Sequence, residues 1–554
     1  MNKKVCSFPI LFALLALLIG TCAVVFPASA QAAPTSIGSI TVSGTVARSY
    51  DAYQIFSANV VDGDSDAKIA TDLAWASDAV RDAALPVLHS AGMPKSQTTA
   101  REAAEWLNTD SHLTSVLRAQ LARSLQSSGA VPVALNAGTA AELPCGYWLI
   151  VADDDAIAQG EAGTAPIMAL VGGSAVTVKP KAATPKVSKH VLEDGTAAWQ
   201  KAADATVADD LYWRLSATVP AGLTAYDTYT VRFVDTMSAG LDPSKVAASM
   251  RVYVATGADG GFDAVSAGKD GRAGTEPAKG WTDITAQCKV SVDGNTFTVR
   301  TGDLIAALGG ADAFTAGARV VAVYNAPLNS ACNHGIAKGN PNEAYLRYPR
   351  SPFADQSGDA GFTRTPSDDA CAYTWDLALT KRGSDGDKPL AGAVLSIADD
   401  RGRTLAADGT WDAEGKATVT TGEDGRVTVS GVDSGKLEVR ELKAPKGYTA
   451  FEGTRSVTVK VEGLDVDQVA AAKPKLTITA ESPLRADSAD GSTGSLEASL
   501  INTPTGTPPS ITTGGFMPST GDMAMYAAAA AAVAGAALIV VALLVKRGGG
   551  SHKE

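Results

Sequence analysis

After Pro180 the chain consists mainly of short segments in which apolar and polar residues alternate with a period of two. Such alternation places every second side chain on one face of a β-strand. Clusters of Gly, Asp, Asn and Pro separate the segments at the short intervals typical of β-sandwiches. We therefore predict a mainly β protein with two tandem immunoglobulin-like sandwiches, at residues 182–350 and 371–504, joined by a linker at 351–370.

The segment before them, residues 31–181, has a mixed pattern. The stretches "SITVSGTV", "YDAYQIFSANVV" and "GYWLIVADDD" alternate as strands do, whereas "IATDLAWASDAVRDAALPVLHSAG" and "TAREAAEWLNTDSHLTSVLRAQLARSLQ" have helical spacing. We predict an α+β domain ahead of the two sandwiches.

The first residues have the pattern of a secretory signal peptide. Lys3 and Lys4 precede an apolar run, and small residues at 28–30 form a cleavage site. We expect residues 1–30 to be removed and the remainder to be exported.

The other end of the chain is also apolar. The uncharged run from Met523 to Val545 is long enough to cross a bilayer core as a helix at about 1.5 Å per residue. Lys546 and Arg547 follow it and place the short tail on the cytoplasmic side. A stalk rich in Pro, Thr and Gly at 505–516 separates this transmembrane helix from the sandwiches.

Charge and residue counts oppose several classes of function. The formal net charge of −12 argues against a nucleic-acid partner. The histidines and cysteines have no metal-ligand spacing, so we predict no metal and no other cofactor. No nucleophile–His–acid set and no paired-carboxylate cleft is evident, so the sequence does not predict an enzyme. Four cysteines remain after signal removal and allow three disulfide pairings in an exported protein: Cys145, Cys288, Cys332 and Cys371.

In the C-terminal sandwich, three apolar stripes each end in an inward polar residue. The strand "TWDLALTKRG" ends its stripe in Lys381, "GKLEVRELK" in Glu441, and "SLEASLINTP" in Asn502. Burial lowers the pKa of a lysine and raises that of a carboxyl group. A neutral amine can attack the Asn502 carboxamide and release ammonia, which replaces two costly buried polar groups with one covalent amide.

The middle sandwich offers a second set of inward polar residues. Lys189 lies between Val187 and Val191 on one face, and Asp235 shares a face with Phe233. The asparagine is Asn342, which shares a face with other inward residues of "GNPNEAYLRY". Two alternatives stay open, because Asn340 has the same face and Asn325 ends a separate stripe.

These segments resemble a known family. "LEVRELKAPKGY", "LTKRGSDGDKPLAGAVLSI" and "LINTP" resemble the E-box, first strand and closing strand of Gram-positive pilins and collagen-adhesin B-type domains. The resemblance implies an intramolecular isopeptide bond from Lys381 to Asn502, promoted by Glu441. The middle domain resembles the second domain of fimbrial shaft subunits, in which an aspartate takes the acid's role.

A short motif lies between the stalk and the apolar run. Its residues are Met517, Pro518, Ser519, Thr520 and Gly521. "MPSTG" resembles the LPxTG sorting signal, with methionine in place of a leucine of similar volume. The resemblance implies that residues 517–554 are a cell-wall sorting signal, cut by a sortase, a cysteine transpeptidase, between the threonine and the glycine.

One lysine is predicted to lie exposed at the junction of the first two domains. In "SAVTVKPKAATPK", Lys181 lies on the face opposite Val176 and Val178. It resembles, in a degraded form, the end of the pilin motif whose lysine receives the next subunit. Lys179 is the alternative.

Together the resemblances imply the structural shaft subunit of a covalently polymerised surface fimbria. Its expected partners are pilin-class and housekeeping sortases, other copies of the chain, peptidoglycan and minor tip or base pilins; no host ligand is indicated. A monomeric sortase-anchored cell-wall adhesin is the alternative, and a wall-anchored secreted enzyme is disfavoured because no catalytic set is evident.

Overall fold

The computed structural model describes residues 36–506, apart from 45–47, 65–66, 110, 154–156, 158–159, 181–183, 221–222, 258–279 and 353. The predicted signal peptide, Lys181, the "MPSTG" motif and the apolar run lie outside the described residues. Among the residues that are described, no helix has the length and apolar character needed to cross a membrane.

The first domain is α+β, as predicted, and its elements are β1 (Ile37–Val42), β2 (Ser49–Asp62), β3 (Lys68–Trp75), α1 (Asp78–Ser90), α2 (Ala100–Leu107), α3 (Ser115–Gln126), β4 (Val133–Asn136), β5 (Ala140–Pro144), β6 (Gly146–Ala152), β7 (Ile167–Val171) and β8 (Val176–Val178). A sheet in the order β3-β2-β6-β7, with β4 on β2, lies between the helices and a small sheet, β5-β1-β8. Tyr53 and Ile55 face the helices, whereas Tyr50 and Ala52 face the small sheet. The alternation of β2 therefore builds two cores.

The middle domain is a sandwich of two sheets, and its elements are β9 (Val187–Glu193), β10 (Ala198–Gln200), β11 (Ala202–Asp204), β12 (Tyr212–Thr218), β13 (Arg232–Met237), α4 (Val246–Ser249), β14 (Arg251–Ala255), β15 (Trp281–Asp283), β16 (Lys289–Asp293), β17 (Thr296–Arg300), α5 (Leu304–Ala307), β18 (Arg319–Asn325), β19 (Asn340–Pro349), β20 (Phe362–Arg364) and β21 (Asp368–Tyr373). One sheet has the order β10-β9-β12-β18-β14-β15. The other has the order β11-β21-β19-β13-β17-β16, with β20 on β19.

The C-terminal domain is a second sandwich, with strands β22 (Trp375–Gly383), β23 (Val394–Ala398), β24 (Thr404–Leu405), β25 (Trp411–Asp412), β26 (Val419–Thr420), β27 (Arg426–Val432), β28 (Gly435–Lys443), β29 (Tyr448–Thr449), β30 (Thr454–Glu462), β31 (Lys475–Ala480), β32 (Leu484–Asp490) and β33 (Ser495–Pro504). Its sheets are β27-β22-β33-β29, with β32 on β33, and β25-β24-β23-β28-β30-β31, with β26 on β23. The prediction of a mainly β chain with tandem sandwiches is confirmed.

The predicted linker at 351–370 is not a linker in the structure. Strand β20 and the start of β21 lie within it, and both pair with β19 in the middle sheet. The polar stretch between β19 and β20 is tied down as well, because Asp359 pairs with Arg232 and Arg347. Composition predicted a linker here because short strands and ion-paired loops have the same polar residues as free connections.

Strand β21 belongs to two hydrophobic cores. Ala370 and Ala372 pack in the middle core, whereas Cys371 and Tyr373 pack in the C-terminal core. Thr374 alone separates β21 from the first strand of the C-terminal sandwich. Because one strand supplies side chains to both cores, the two sandwiches form a continuous structure.

The first domain is joined to the middle domain through residues 160–164. The backbone N–H groups of Gly160 and Gly163 donate to carbonyls of the middle domain, at 2.8 and 2.7 Å. Ala162, between them, is buried in the middle core. Arg48 holds this segment from the first domain by pairing with Glu161 at 2.6 Å.

Three carboxyl groups lie together where the two sandwiches meet, close enough to share a proton or a metal ion. The sequence did not predict this cluster. Oxygen atoms of Glu193, Asp204 and Asp433 lie within 4.8 Å of one another. Burial, reinforced by the charge of Asp204, raises the pKa of Glu193 and of Asp433. A folded chain therefore retains protons here that an unfolded chain releases.

We expect the junction to be less stable at higher pH. The folded-state pKa of Glu193 is about 8 against an ordinary 4.5, so between these values the folded state binds more protons and unfolding becomes easier as pH rises. For one group the free energy of unfolding falls by about 1.4 kcal/mol per pH unit. Urea denaturation between pH 5 and pH 8 should show that the free energy of unfolding falls less steeply with pH in Glu193→Gln than in the wild-type chain. The control Glu142→Gln, at an exposed position, should have the wild-type dependence. The same dependence on pH in all three proteins would contradict the raised pKa of Glu193.

Candidate crosslinking sites

The inward polar residues of the C-terminal sandwich come together in its core. Lys381 is on β22 and Asn502 on β33, two adjacent parallel strands in which Lys381 pairs with Leu500. Glu441 reaches them from β28 in the opposite sheet. The side chains of Lys381 and Glu441 are fully buried, and Asn502 is 2% exposed.

The acid in this site is hydrogen-bonded to the asparagine and within ion-pair distance of the lysine. The Nδ2 of Asn502 donates to Glu441 Oε1 at 2.9 Å, and Lys381 Nζ lies 3.6 Å from the same oxygen. The backbone N–H of Phe451 holds the second carboxyl oxygen at 3.1 Å. Burial lowers the pKa of Lys381 to about 8, although Glu441 opposes this shift. At pH 7 about a tenth of the amine is therefore uncharged and nucleophilic, far more than for an ordinary lysine.

The middle site has the same chemical groups in a different arrangement. Asp235 on β13 and Asn342 on β19 are on neighbouring strands of one sheet, whereas Lys189 on β9 comes from the opposite sheet. Each of the three residues has 0% exposure. A bond from Lys189 to Asn342 would join the two sheets, whereas a bond from Lys381 to Asn502 would join neighbours in one sheet.

A tyrosine that the sequence analysis did not identify lies at the centre of the middle site. The hydroxyl of Tyr324 accepts from Lys189 Nζ at 2.7 Å and from Asn342 Nδ2 at 2.9 Å, and donates to Asp235 Oδ2 at 2.8 Å. Lys189 also pairs directly with Asp235. In the sequence, the only indication of its role is that Tyr324 lies next to Asn325, one of the alternative asparagines for the middle site.

Burial controls the ionisation of this site. It lowers the pKa of Lys189 to about 8, although the Asp235 carboxylate opposes that shift. Burial raises the pKa of Asp235, against the opposing effect of Lys189. Both shifts favour the neutral amine and the neutral acid, the forms that amide exchange requires.

The two alternative asparagines are engaged elsewhere. Asn340 accepts from Asn333 N at 2.8 Å and donates to Asn333 O and Ala372 O. Asn325 donates to Asp210 at 2.6 Å and accepts from Leu211 N. Of the three asparagines, Asn342 is the one that the structure places beside Lys189.

One cysteine belongs to a Cys–His–Asp cluster that was not predicted from the sequence. Cys332 Sγ lies 3.5 Å from His334 Nε2, and His334 Nδ1 lies 2.7 Å from Asp376 Oδ2. Burial raises the pKa of Cys332 to about 11, so the thiol is protonated and poorly nucleophilic at neutral pH. The four cysteines among the described residues are all free, so none of the three possible disulfide pairings is formed in the structure. The set gives no support to thiol catalysis.

The described residues include one of the two lysines considered for intersubunit linkage. Lys179 is exposed directly after β8, next to buried Val178. The preferred Lys181 and the five residues of the "MPSTG" motif lie outside the described residues.

We expect removal of Asp235 to destabilise the middle domain strongly. In Asp235→Ala the Lys189 amine loses its buried acid and keeps only the neutral Tyr324 hydroxyl, and breaking a buried ion pair in this way typically costs about 3–5 kcal/mol. Urea denaturation followed by tryptophan fluorescence measures the loss. Asp312→Ala removes an exposed carboxylate of the same domain and should change stability by no more than about 0.5 kcal/mol; equal effects of the two substitutions would refute the role of burial.

Comparison with known proteins identifies part of the chain. Residues 376–473 match the model of the SpaA family, described as a prealbumin-like fold domain. A stretch of 143 residues is 31% identical to the trypsin-resistant surface T6 protein of Streptococcus pyogenes serotype M6. That match spans about a quarter of each protein, 24% of this chain and 24% of the relative.

Two solved structures are similar over most of the chain. The T6 backbone pilin of serotype M6 Streptococcus pyogenes is 16% identical, with a TM-score of 0.47 over 85% of this chain and 99% of that one. The full-length major pilin SpaD from Corynebacterium diphtheriae is 16% identical, with a TM-score of 0.42 over 86% of this chain and 100% of that one. Within the C-terminal sandwich, residues 376–473 are therefore a SpaA-type prealbumin-like domain. The chain as a whole is similar to these two pilins.

Proposed function

We propose that this chain is the structural shaft subunit of a sortase-assembled surface fimbria, in which each sandwich carries an internal isopeptide bond. The observation that carries the proposal is the buried set of Lys381, Glu441 and Asn502 in the C-terminal sandwich, of which Lys381 and Glu441 lie in the segment that matches the SpaA family. A buried amine against a buried carboxamide is costly as a permanent arrangement, and it is well placed for covalent reaction.

The reaction in the C-terminal site is an amide exchange. Nζ of Lys381 in its amine form adds to Cγ of Asn502, and the bond from Cγ to Nδ2 breaks. One proton moves from Nζ to the leaving nitrogen, which departs as ammonia. Glu441 lies near both nitrogen atoms, so its carboxyl group can donate and accept this proton without moving far. Each bond forms once, so the chain is a product of its own reaction and does not turn over substrate.

Polymerisation uses the two regions outside the described residues. A pilin-class sortase would cleave between Thr520 and Gly521 and hold the subunit as a thioester at Thr520. The amine of Lys181 in the next subunit would then attack this carbonyl and form an intersubunit amide. A housekeeping sortase would transfer the base of the fimbria to peptidoglycan, and minor pilins would occupy its tip or base.

The two internal bonds suit a subunit that bears tension. Tension enters the C-terminal sandwich at β22 and leaves it at β33, so a bond from Lys381 to Asn502 removes residues 382–501 from the load path. A bond from Lys189 to Asn342 does the same for residues 190–341. Crosslinks also stabilise by constraining the unfolded chain, as disulfides do.

We expect the intact mass of a reduced chain spanning Ala32 to Thr513 to be lower than its sequence mass by two ammonia molecules, about 17 Da each. Glu441→Ala should be lighter than its sequence mass by only one ammonia molecule, the one released in the middle domain. Glu438→Ala, on the opposite face of β28, should lose both molecules. A wild-type mass equal to the sequence mass would eliminate the proposed bonds.

We expect cell-wall extracts boiled in SDS to give a ladder of covalent multimers, since sortase links are amides. Lys181→Ala should reduce the ladder to a single anchored band, whereas Lys179→Ala should leave it intact. A ladder lost only with Lys179→Ala would transfer the intersubunit role to that residue. A single band from the wild-type chain would favour the monomeric adhesin.

A further inference from the structure

The middle site differs from the C-terminal site in how its acid reaches the asparagine. Glu441 contacts the Asn502 carboxamide directly, at 2.9 Å. Asp235 has one methylene fewer, and its oxygen Oδ2 is connected to Asn342 through the hydroxyl of Tyr324. That hydroxyl lies 2.7 Å from the nucleophile, Lys189 Nζ, and 2.9 Å from the leaving nitrogen, Asn342 Nδ2.

Tyr324 is held in place by its surroundings. It is on β18, in the same sheet as Lys189, and its side chain points across the core to the sheet that carries Asp235 and Asn342. Its ring is edge-on to Phe297, with ring centroids 4.7 Å apart, and the residue is 0% exposed. Burial raises the pKa of the phenol well above its ordinary value. The hydroxyl therefore keeps its proton and is available as a donor.

The two side chains that the hydroxyl contacts, Asp235 and Asn342, each have a second terminal atom without a hydrogen bond. Among the described residues, neither Asp235 Oδ1 nor Asn342 Oδ1 has a hydrogen-bond partner. Buried acceptors without partners are costly in a finished structure. Here they are consistent with groups arranged for a reaction, because negative charge develops on the carboxamide oxygen when an amine adds to it.

We propose that Tyr324 is a catalytic residue of the middle-domain crosslink, which carries a proton from the nucleophilic nitrogen to the leaving nitrogen. This inference rests on the proposed function, since it requires a bond between Lys189 and Asn342. The C-terminal site needs no such residue, because its longer acid reaches both nitrogen atoms directly.

The step balances with the groups that are present. Lys189 Nζ, as the amine, adds to Cγ of Asn342, and the carbonyl π pair moves to Oδ1. In the resulting tetrahedral species the lone pair of Nδ2 is no longer conjugated, so this nitrogen can accept a proton. Tyr324 gives its proton to Nδ2 and takes one from Nζ. The bond from Cγ to Nδ2 breaks, ammonia leaves, the amide forms and the phenol is restored.

The experiment measures bond formation in Tyr324→Phe, which removes the hydroxyl and keeps the ring. In the Ala32–Thr513 chain, intact mass followed over time, with peptide mapping of the Lys189–Asn342 linkage, should show the middle bond forming about 10²-fold more slowly or not at all. The C-terminal bond in the same molecule should form at the wild-type rate and serves as the internal reference.

The matched control is Tyr348→Phe. This tyrosine is equally buried in the middle core, on the same strand as Asn342, but its hydroxyl donates at 2.8 Å to Glu161 O, away from the site. It should form both bonds at the wild-type rate. If both phenylalanine variants lose the middle bond, the cause is packing and the proposal is wrong.

A second substitution separates chemistry from packing. Combining Tyr324→Phe with Asp235→Glu puts a methylene into the space left by the hydroxyl and lets the acid reach Asn342, as Glu441 reaches Asn502. Recovery of the middle bond would support the relay; a folded double variant without the bond would overturn it. The double variant also provides the test if the single variant does not fold.

The outcomes distinguish this inference from the function on which it rests. If the wild-type chain forms the middle bond and Tyr324→Phe forms it equally fast, Tyr324 has no catalytic part while the proposed function stands. If the wild-type chain shows no Lys189–Asn342 linkage at all, the crosslink in this domain and the role of Tyr324 both fail.

Discussion

The burial of one lysine amine in each sandwich core is the constraint on which the rest of the structure depends. Lys189 and Lys381 both have 0% exposure, and a charged amine there requires a nearby acid. The acid then has its own desolvation cost, which a neutral pair reduces. Once the amine is neutral and a carboxamide lies beside it, forming an amide would replace the two polar groups with one. In the proposed crosslinking reaction, the cost of burial is thus the reason for the reactivity, and the β-sandwich supplies the exclusion of water.

The sequence predicted this arrangement well where one face of a strand was apolar and the other polar. In β22, β28 and β33, strict alternation placed Lys381, Glu441 and Asn502 on the buried face, and the burial pattern agrees. Strand β18 is apolar on both faces, so alternation could not tell which face looks into the main core. Val321 and Val323 lie in a separate outer cluster with Trp281, whereas Tyr324 faces the main core. For this reason Asn325 was a candidate from the sequence, whereas its neighbour Tyr324 was not.

The domain boundary was unpredictable for a related reason. Composition shows where a chain is polar, but it does not show whether a polar segment is fastened to something distant in sequence. Asp368 illustrates this, since it accepts from the backbone of Lys189 at 2.7 Å and from Lys201 Nζ at 2.5 Å. These partners lie more than 160 residues earlier in the chain. A segment expected to be a linker therefore closes one edge of the middle sandwich.

That closure matters for how tension would pass through the chain. A bond from Lys189 to Asn342 and a bond from Lys381 to Asn502 would leave residues 343–380 in the load path, because the chain continues from β19 through β20 and β21 into the start of β22. Strand β21 resists extension in two ways, through its pairing with β19 and β11 and through side chains packed in both cores. The shared strand would thus protect the stretch between the two proposed crosslinks that neither bond bypasses. A flexible linker at this place would extend under load, so a shaft subunit with two internal bonds needs a fastened junction between them.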